Sequence, residues 1–222
     1  MAPGEVTRSV SRTFELLGAI IEHGGLSLAD AAKATDLATS TALRLIRSLE
    51  QTEFVLRGED NVYRVGPRLL QIGARAIADN QLVLRARPAM IEIAETTRES
   101  TYLSAPGPHG TALYIAQIEG TYAIRHMGWV GQTVPLIGTA VGAALRGEVG
   151  AEGYAIAHDT LEEHSTGVAA PIHDATGRIA GALSIIGPTF RLDDQTCAEH
   201  GRVLVDHCAR LSAELGRSTT SH

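Results

Sequence analysis

The chain is poor in cysteine, lysine and aromatic residues, and each shortage removes a class of protein. Two cysteines among 222 residues, Cys197 and Cys208, cannot build a disulfide framework or a zinc ribbon, and they suit a reduced cytosol. Lysine occurs once, at Lys33, among 19 basic side chains. The glycine-rich phosphate loop with its lysine is therefore missing, and Schiff-base chemistry has one poor candidate. Long apolar runs are lacking too. The uncharged stretch 127–145 carries Gly128, Gly131, Pro135, Gly138 and Gly142, which suit a folded turn rather than a membrane span. Met1–Val6 lacks the basic start and apolar stretch of a secretory leader, so a cytoplasmic protein with no membrane partner is expected. Excess positive charge is absent as well, since the net charge is −6. Any contact with nucleic acid must then come from a local patch.

With 44% hydrophobic and 20% charged residues, the chain has material for one large or two small globular domains. Residues 1–79 hold nine basic and ten acidic side chains, residues 80–222 ten and fifteen, so the acidity sits in the second part. Gly66-Pro67 marks a hinge, because proline suits a first helical position after a strand ends.

In the first part, Val10, Phe14, Leu17 and Ile21 recur at helical spacing up to Gly24-Gly25. Ser27 precedes a short second helix closing near Asp36-Leu37. Thr39 can cap a third, whose Ala42, Leu45, Ile46 and Leu49 face inward. Phe54–Arg57 and Val62–Val65 flank the turn Gly58-Glu59-Asp60-Asn61, which predicts a hairpin. This order is that of a winged helix-turn-helix. The second part predicts a helix near Leu82–Glu99, then strands at Thr101–Ala105, Thr111–Ile118 and Tyr122–Val130. A small-residue helix at Thr139–Leu145 follows, then strands at Gly153–Asp159, Gly167–His173 and Arg178–Ile186. A last helix starts near Asp193 as its cap, and Ser218–His222 is expected to fray. The fold class is thus α+β, with a sheet flanked by its first and last helices.

The polar side of the third helix aligns Ser40, Arg44, Arg47 and Gln51. In a helix-turn-helix this helix enters the major groove, where arginine donates bidentately to guanine and hydroxyls near the helix start grip phosphate. Arg44 and Arg47 are the base readers, with Thr39, Ser40 and Thr41 at the phosphate end. The same stripe would also suit a plain solvated face. In the hairpin, Glu59 and Asp60 at the tip repel phosphate, which leaves only Arg57 and Arg64 at its stem and predicts a weak wing.

The stretches Ser9–Leu17, Leu37–Phe54, Tyr63–Gly66, Val134–Leu136 into Ala140–Leu145, and Gly167–Ile172 through Gly187-Pro188 together resemble the IclR-type transcriptional regulators across residues 7–215. The resemblance implies a DNA-binding domain over 1–66, a linker helix over 67–79, and a GAF-like effector-binding domain over 80–222 with a central antiparallel sheet. It implies homodimers or tetramers on palindromic operator DNA, and a ligand-responsive regulator rather than an enzyme. Leu69, Ile72 and Ala76 offer a pairing face on the linker. Two departures stand out: Ala38-Thr39-Ser40-Thr41 lacks the family's lysine, and the connection near 146–152 is short.

The resemblance also maps an effector pocket onto Gly131, Val134, Leu136, Ile137, Ala140, Gly167, Ser184 and Ile186, with Trp129 at its border, although Trp129 would equally suit a core. Amides near Thr139 would suit a carboxylate. The effector expected is a small organic acid or aromatic compound, less polar than a keto acid. No cofactor, metal or catalytic residue is assigned, since Ser184 lacks the nucleophile-elbow glycines. The alternative is a small metal-dependent hydrolase using the cluster from His158 to Asp174, with Asp159, Glu162, Glu163, His164 and His173. That segment also reads as a solvated loop, and Cys197, His200, His207 and Cys208 as a buried helix face.

Overall fold

The computed structural model describes residues 7–217. The expectations for Met1–Val6 and Ser218–His222 lie outside them. The chain forms two compact units that divide between Ala78 and Asp79.

In the N-terminal unit, α1 (Arg8–Glu22), α2 (Leu28–Ala34) and α3 (Thr39–Gln51) pack together with β1 (Leu26–Ser27), β2 (Val55–Arg57) and β3 (Val62–Val65). The strands form an antiparallel sheet in the order β1-β3-β2. Ala42, Leu45, Ile46 and Leu49 of α3 are buried against Ala31 and Ala32 of α2, with Val55 and Tyr63 closing the core. On α1 the buried residues are Leu16, Leu17 and Ile20, whereas Val10, Phe14 and Ile21 are exposed. This corrects the expected inward face: α1 carries two neighbouring apolar stripes sharing Leu17, and packing against α2 and α3 chooses the leucine stripe. Helix α2 starts at Ser27, whose hydroxyl accepts from the Asp30 amide at 3.2 Å. Thr39 does not cap α3. Ala38 takes that place with extended backbone, so no side chain caps the helix.

The hairpin closes onto α4 (Pro67–Ala78) through Gly66, whose amide donates to the Phe54 carbonyl at 2.8 Å. A methyl there would overlap the Glu53 carbonyl, so only glycine fits. Helix α4 buries no residue fully. Leu69 leans on the N-terminal core, which removes it from the expected pairing face, while Leu70, Ile72 and Ile77 are exposed.

The C-terminal unit is a six-stranded antiparallel sheet in the order β6-β5-β4-β9-β8-β7. Its elements are α5 (Gln81–Thr97), β4 (Ser100–Pro106), β5 (Thr111–Ile118), β6 (Thr133–Pro135), α6 (Ala140–Arg146), β7 (Ala155–His158), β8 (Ser165–His173), β9 (Ile179–Pro188) and α7 (Asp194–Arg217). Side chains alternate across the strands. Leu103, Val168, Leu183 and Ile185 face α5 and α7, where they meet Met90, Ile93, Leu204 and Cys208. Tyr102, Ala169, Ala182 and Ile186 face the other way, toward Ala140, Val141 and Ala144 of α6. Burying one such large aliphatic side chain contributes ~1.5–3 kcal/mol, so the two cores hold the sheet from both sides.

Tyr122–Val130 is not a strand, contrary to expectation. The edge of β5 it would need is taken by β6, and Gly128 adopts a φ of 92°. Side chains anchor the segment instead: the Ser100 hydroxyl donates to the His126 carbonyl at 2.5 Å, and Gln117 accepts from the Gly128 amide. Arg191 stacks its guanidinium 4.1 Å from the Tyr122 ring centroid while donating to both oxygens of the buried Glu99. Asp193 caps α7 as expected, accepting from the Thr196 amide at 2.8 Å.

Candidate functional site

The N-terminal unit presents one coherent polar surface. Thr39, Ser40, Arg44, Arg47 and Gln51 of α3 are all exposed, and Thr41 is half-buried. Among the described residues no carboxylate pairs with Arg44 or Arg47, so both guanidinium groups are free to donate. Because nothing caps α3, the amides of Thr39 and Ser40 also remain open at the positive end of the helix.

The hairpin is quieter. Arg64 is bound in a fork by Asp60 at 3.0 and 2.6 Å, and Arg57 donates to Asn61 at 2.7 Å. The Arg64 guanidinium holds the Asp60 carboxyl at about 2, well below the usual carboxylate range. The carboxylates at the hairpin tip were expected to repel phosphate; here one of them also occupies the cation behind it.

On the α6 side of the C-terminal sheet lies a small pocket open to solvent, with about 30 Å³ of interior space. Its wall contains Trp129, Ala140, Gly167, Ser184 and Ile186 from the expected set. Gly131, Val134, Leu136 and Ile137 are not on it. Val134 and Leu136 pack into the core beneath α6, Gly131 makes a turn with φ of 87°, and Ile137 points into solvent. The loop before α6 packs its Leu136 carbonyl so close to Gly142 that no Cβ would fit there. Sequence reasoning placed the helix start near Thr139 at this pocket but did not name Tyr114, Val141, Ala157, Thr160, Leu161 and Ser165, which lie on the same wall. The alternation of β5 and β8 could have found Tyr114 and Ser165; the loop residues carry no such signal.

Two features of the cavity bear on chemistry. The Ser184 hydroxyl is buried and has no hydrogen-bond partner, so it is not satisfied by strand backbone. An orphaned buried hydroxyl is costly unless something enters to pair with it. Beside it four rings meet edge to face: Tyr114 with Trp129 at 5.3 Å, Trp129 with His126 at 4.5 Å, and Tyr102 with both Tyr114 and His126. Tyr102 and His126 Nδ1 are 2.6 Å apart, while His126 Nε2 faces Glu162 at 3.5 Å. Burial pushes the Tyr114 and Tyr102 hydroxyls up and His126 down, so all three are uncharged near neutral pH. With Tyr102 protonated and His126 neutral, the hydroxyl donates to Nδ1 and leaves the imidazole proton toward Glu162.

The His158–Asp174 cluster does not converge. His158 lies opposite Thr166 and its Nδ1 is 2.9 Å from that hydroxyl, whereas His173 sits seven residues along β8, roughly 23 Å away. Asp159 instead accepts from the His164 amide. Among the described residues no group of His, Cys, Asp and Glu is arranged to hold a metal. Burial pushes the Cys197 thiol up to about 11 and Cys208 up to about 12, so both are inert core residues on α7. No helix of the described residues is long and apolar enough to cross a membrane.

Residues 9–58 match the IclR helix-turn-helix domain, and residues 74–147 and 147–213 match the bacterial transcriptional regulator IclR C-terminal domain. The HTH-type transcriptional regulator KdgR of Escherichia coli is 24% identical over 94% of the chain and 92% of its own length. The transcriptional repressor IclR of Escherichia coli is 24% identical over 97% and 92%. An IclR transcriptional regulator from Alicyclobacillus acidocaldarius superposes with a TM-score of 0.82 at 22% identity, covering 96% of this chain and all of that one. An IclR homolog from Microbacterium hydrocarbonoxydans, complexed with 4-hydroxybenzoate, gives 0.76 at 20% identity over 95% and 99%.

Proposed function

Because the chain belongs to the IclR family of helix-turn-helix transcriptional regulators, we propose that it acts in the cytoplasm as a homodimer reading an inverted-repeat operator under control of a small molecule. Each copy contributes one α3 to one half-site. Arg44 and Arg47 donate to base edges, Gln51 assists, and Thr39, Ser40 and Thr41 bind phosphate through hydroxyls and open amides. Arg57 and Arg64 contribute little, since Asn61 and Asp60 occupy them.

The observation that carries this reading is the exposed, unpaired stripe Ser40-Arg44-Arg47-Gln51 on a helix whose opposite side is the core. The exposed Val10, Phe14 and Ile21 of α1 and Leu70, Ile72 and Ile77 of α4 supply apolar surface for the second copy. Trp129, Ala140, Gly167, Ser184 and Ile186 form the ligand wall. The relative complexed with 4-hydroxybenzoate supports a sensor of small aromatic molecules. Ligand must prefer one arrangement of the paired copies over another, since only differential affinity shifts such an equilibrium.

Selection of bound sequences from a random duplex pool tests the proposal. Enrichment of an inverted repeat is the expected outcome, because two-fold protein symmetry is mirrored in the site. Recovery of no sequence above scrambled competitor at modest ionic strength overturns it.

A further inference from the structure

We infer that the connection 159–164 is a lid over the pocket, latched by Glu162 against His126, and that an effector enters only when this latch opens. The gating role rests on the sensor reading above, whereas the opening is a property of the loop and is measured without a ligand.

Size makes the first argument. An interior of about 30 Å³ is the share of one water molecule, while a cavity that takes up benzene measures about 150 Å³. A small organic molecule therefore cannot enter until part of the wall moves. Most of the wall is fixed. Tyr114, Ala157, Gly167, Ser184 and Ile186 stand on paired strands, and α6 is seated with Gly142 against the Leu136 carbonyl. Trp129 belongs to the segment anchored by Ser100, Gln117 and Arg191. What remains is Thr160 and Leu161, in the connection between β7 and β8.

The way this connection is held makes the second argument. Both of its ends take left-handed backbone, Asp159 at φ 53° and His164 at φ 63°, which marks two sharp turns that few residues other than glycine adopt. The ends are tied down. The Asp159 amide donates to the Ser165 carbonyl at 2.8 Å, Asp159 Oδ1 accepts from the His164 amide at 2.6 Å, and the Thr189 amide donates to the His164 carbonyl at 2.8 Å. From the base of β8 the Ser165 hydroxyl donates to the Glu162 carbonyl at 2.9 Å. Across the pocket, the polar contact of the span among the described residues is Glu162 Oε2, 3.5 Å from His126 Nε2. Leu161, next to it in the chain, is half-buried against the core under α6.

The strength of the latch suits a lid. Tyr102 donates to His126 Nδ1 and burial keeps the ring uncharged, so its remaining proton faces Glu162 without a full ion pair. The Glu162 side chain is half-exposed, and contacts of exposed carboxylates are weak. Such a contact holds the loop shut without locking it. Glu162 is thus a positioning residue, which sets where Thr160 and Leu161 lie.

The test is hydrogen exchange on the purified full chain, read by NMR over low denaturant concentrations, together with acrylamide quenching of Trp129, the single tryptophan. The His164 and Ser165 amides are expected to exchange at least about tenfold faster than those of the central strand β9, and independently of denaturant, as a local opening does. Glu162→Ala should quicken that exchange by about twofold to fivefold and raise the quenching of Trp129. Glu162→Gln keeps an oxygen for the imidazole proton and should restore protection. Exchange in β9 should stay the same in both variants, which a general loosening would not spare. If the His164 and Ser165 amides exchange only as β9 does, with the denaturant dependence of global unfolding, the loop does not open by itself and the inference falls. If Glu162→Ala leaves exchange and quenching as they were, Glu162 latches nothing and the inference falls as well. Failure of the sensor reading shows instead in a ligand screen, leaves these rates as they are, and removes the gating role alone.

Discussion

The buried polar side chains of the described residues, among them Glu99, Ser100, Thr101, Ser104, Thr139, Thr166 and Ser184, all belong to the C-terminal unit; the N-terminal core is Leu, Ile, Ala and Val with one tyrosine. Conversely, the N-terminal unit displays Arg44 and Arg47 unpaired on its surface. On the proposed function, the difference follows from the size of what each unit would meet. A duplex cannot be engulfed, so the groups that read it must stand hydrated on a rigid helix and the core behind them can be plain. A small molecule must be enclosed, so polar groups have to be carried inside, where an unmatched one is costly until the ligand arrives.

The comparison is broken most directly at α3. Replacing Arg44 and Arg47 together with alanine should lower operator affinity by about 1–3 kcal/mol for each bidentate arginine–base pair removed, measured by fluorescence anisotropy on the selected site. Hydrogen exchange of the α1 and α3 core amides should stay unchanged, because both side chains are exposed. Unaltered affinity would remove these residues from the interface.

Next in size is the ion pair that anchors 120–126 to the sheet. Glu99 is 1% exposed and both its oxygens accept from Arg191. Arg191→Ala leaves that carboxylate buried and unpaired, and it should destabilise the C-terminal unit by about 3 kcal/mol, the low end for a broken buried pair because Arg191 keeps some exposure. Exchange should quicken in β4 and β9 and not in α1–α3. Equal loosening of both units would show that their cores do not hold separately.

How far the sequence could be read differs along the same line. Helical spacing identified Ala42, Leu45, Ile46 and Leu49 because α3 buries one face, and β4, β5, β8 and β9 were legible as short strand-like runs, two of them joined by the Asp174–Gly177 turn. On α1 two apolar stripes compete, and spacing cannot say which one tertiary packing selects. In 122–130 the backbone is held by Ser100, Gln117 and Arg191, side chains outside the segment, so a stretch that looked like a strand was not one. The cavity wall was half legible for the same reason: Gly167, Ser184 and Ile186 sit on strands with a period, whereas Thr160 and Leu161 sit in a loop without one.

Acid should separate the units as well. Burial pushes His126, His200 and His207 below the ordinary histidine value of 6.5, and all three are in the C-terminal unit. In the unfolded chain they bind protons near 6.5, earlier than in the folded one, so folded stability falls as pH drops below that value and keeps falling toward the lowered folded values. In the N-terminal unit the shifted carboxyl is Asp60, lowered to about 2, whose contribution is present above the usual 3.8 and is lost only as pH falls from there toward 2. Exchange measured between pH 7 and 5 should therefore loosen the sheet around Tyr102 before it loosens α3. A parallel loss in both units would place the acid sensitivity elsewhere.

The smallest effect sharpens the surface half of the comparison. Arg64 is exposed, as Arg44 and Arg47 are, yet it is taken by Asp60 at 2.6 Å. Asp60→Asn keeps an oxygen for the Val62 amide, which Asp60 accepts at 3.2 Å, while removing the charge that holds the guanidinium. The freed Arg64 can then reach a phosphate, and the hairpin tip sheds one repulsion. Operator affinity should rise by only about twofold to fivefold, since exposed ion pairs are weak. The clearer sign is in salt: one more neutralised phosphate should steepen the slope of log affinity against log salt by about 0.9. The same rise should appear on scrambled DNA too, because pairing with phosphate carries no sequence information. An unchanged slope would mean that the hairpin stays off the duplex, and that α3 alone meets it.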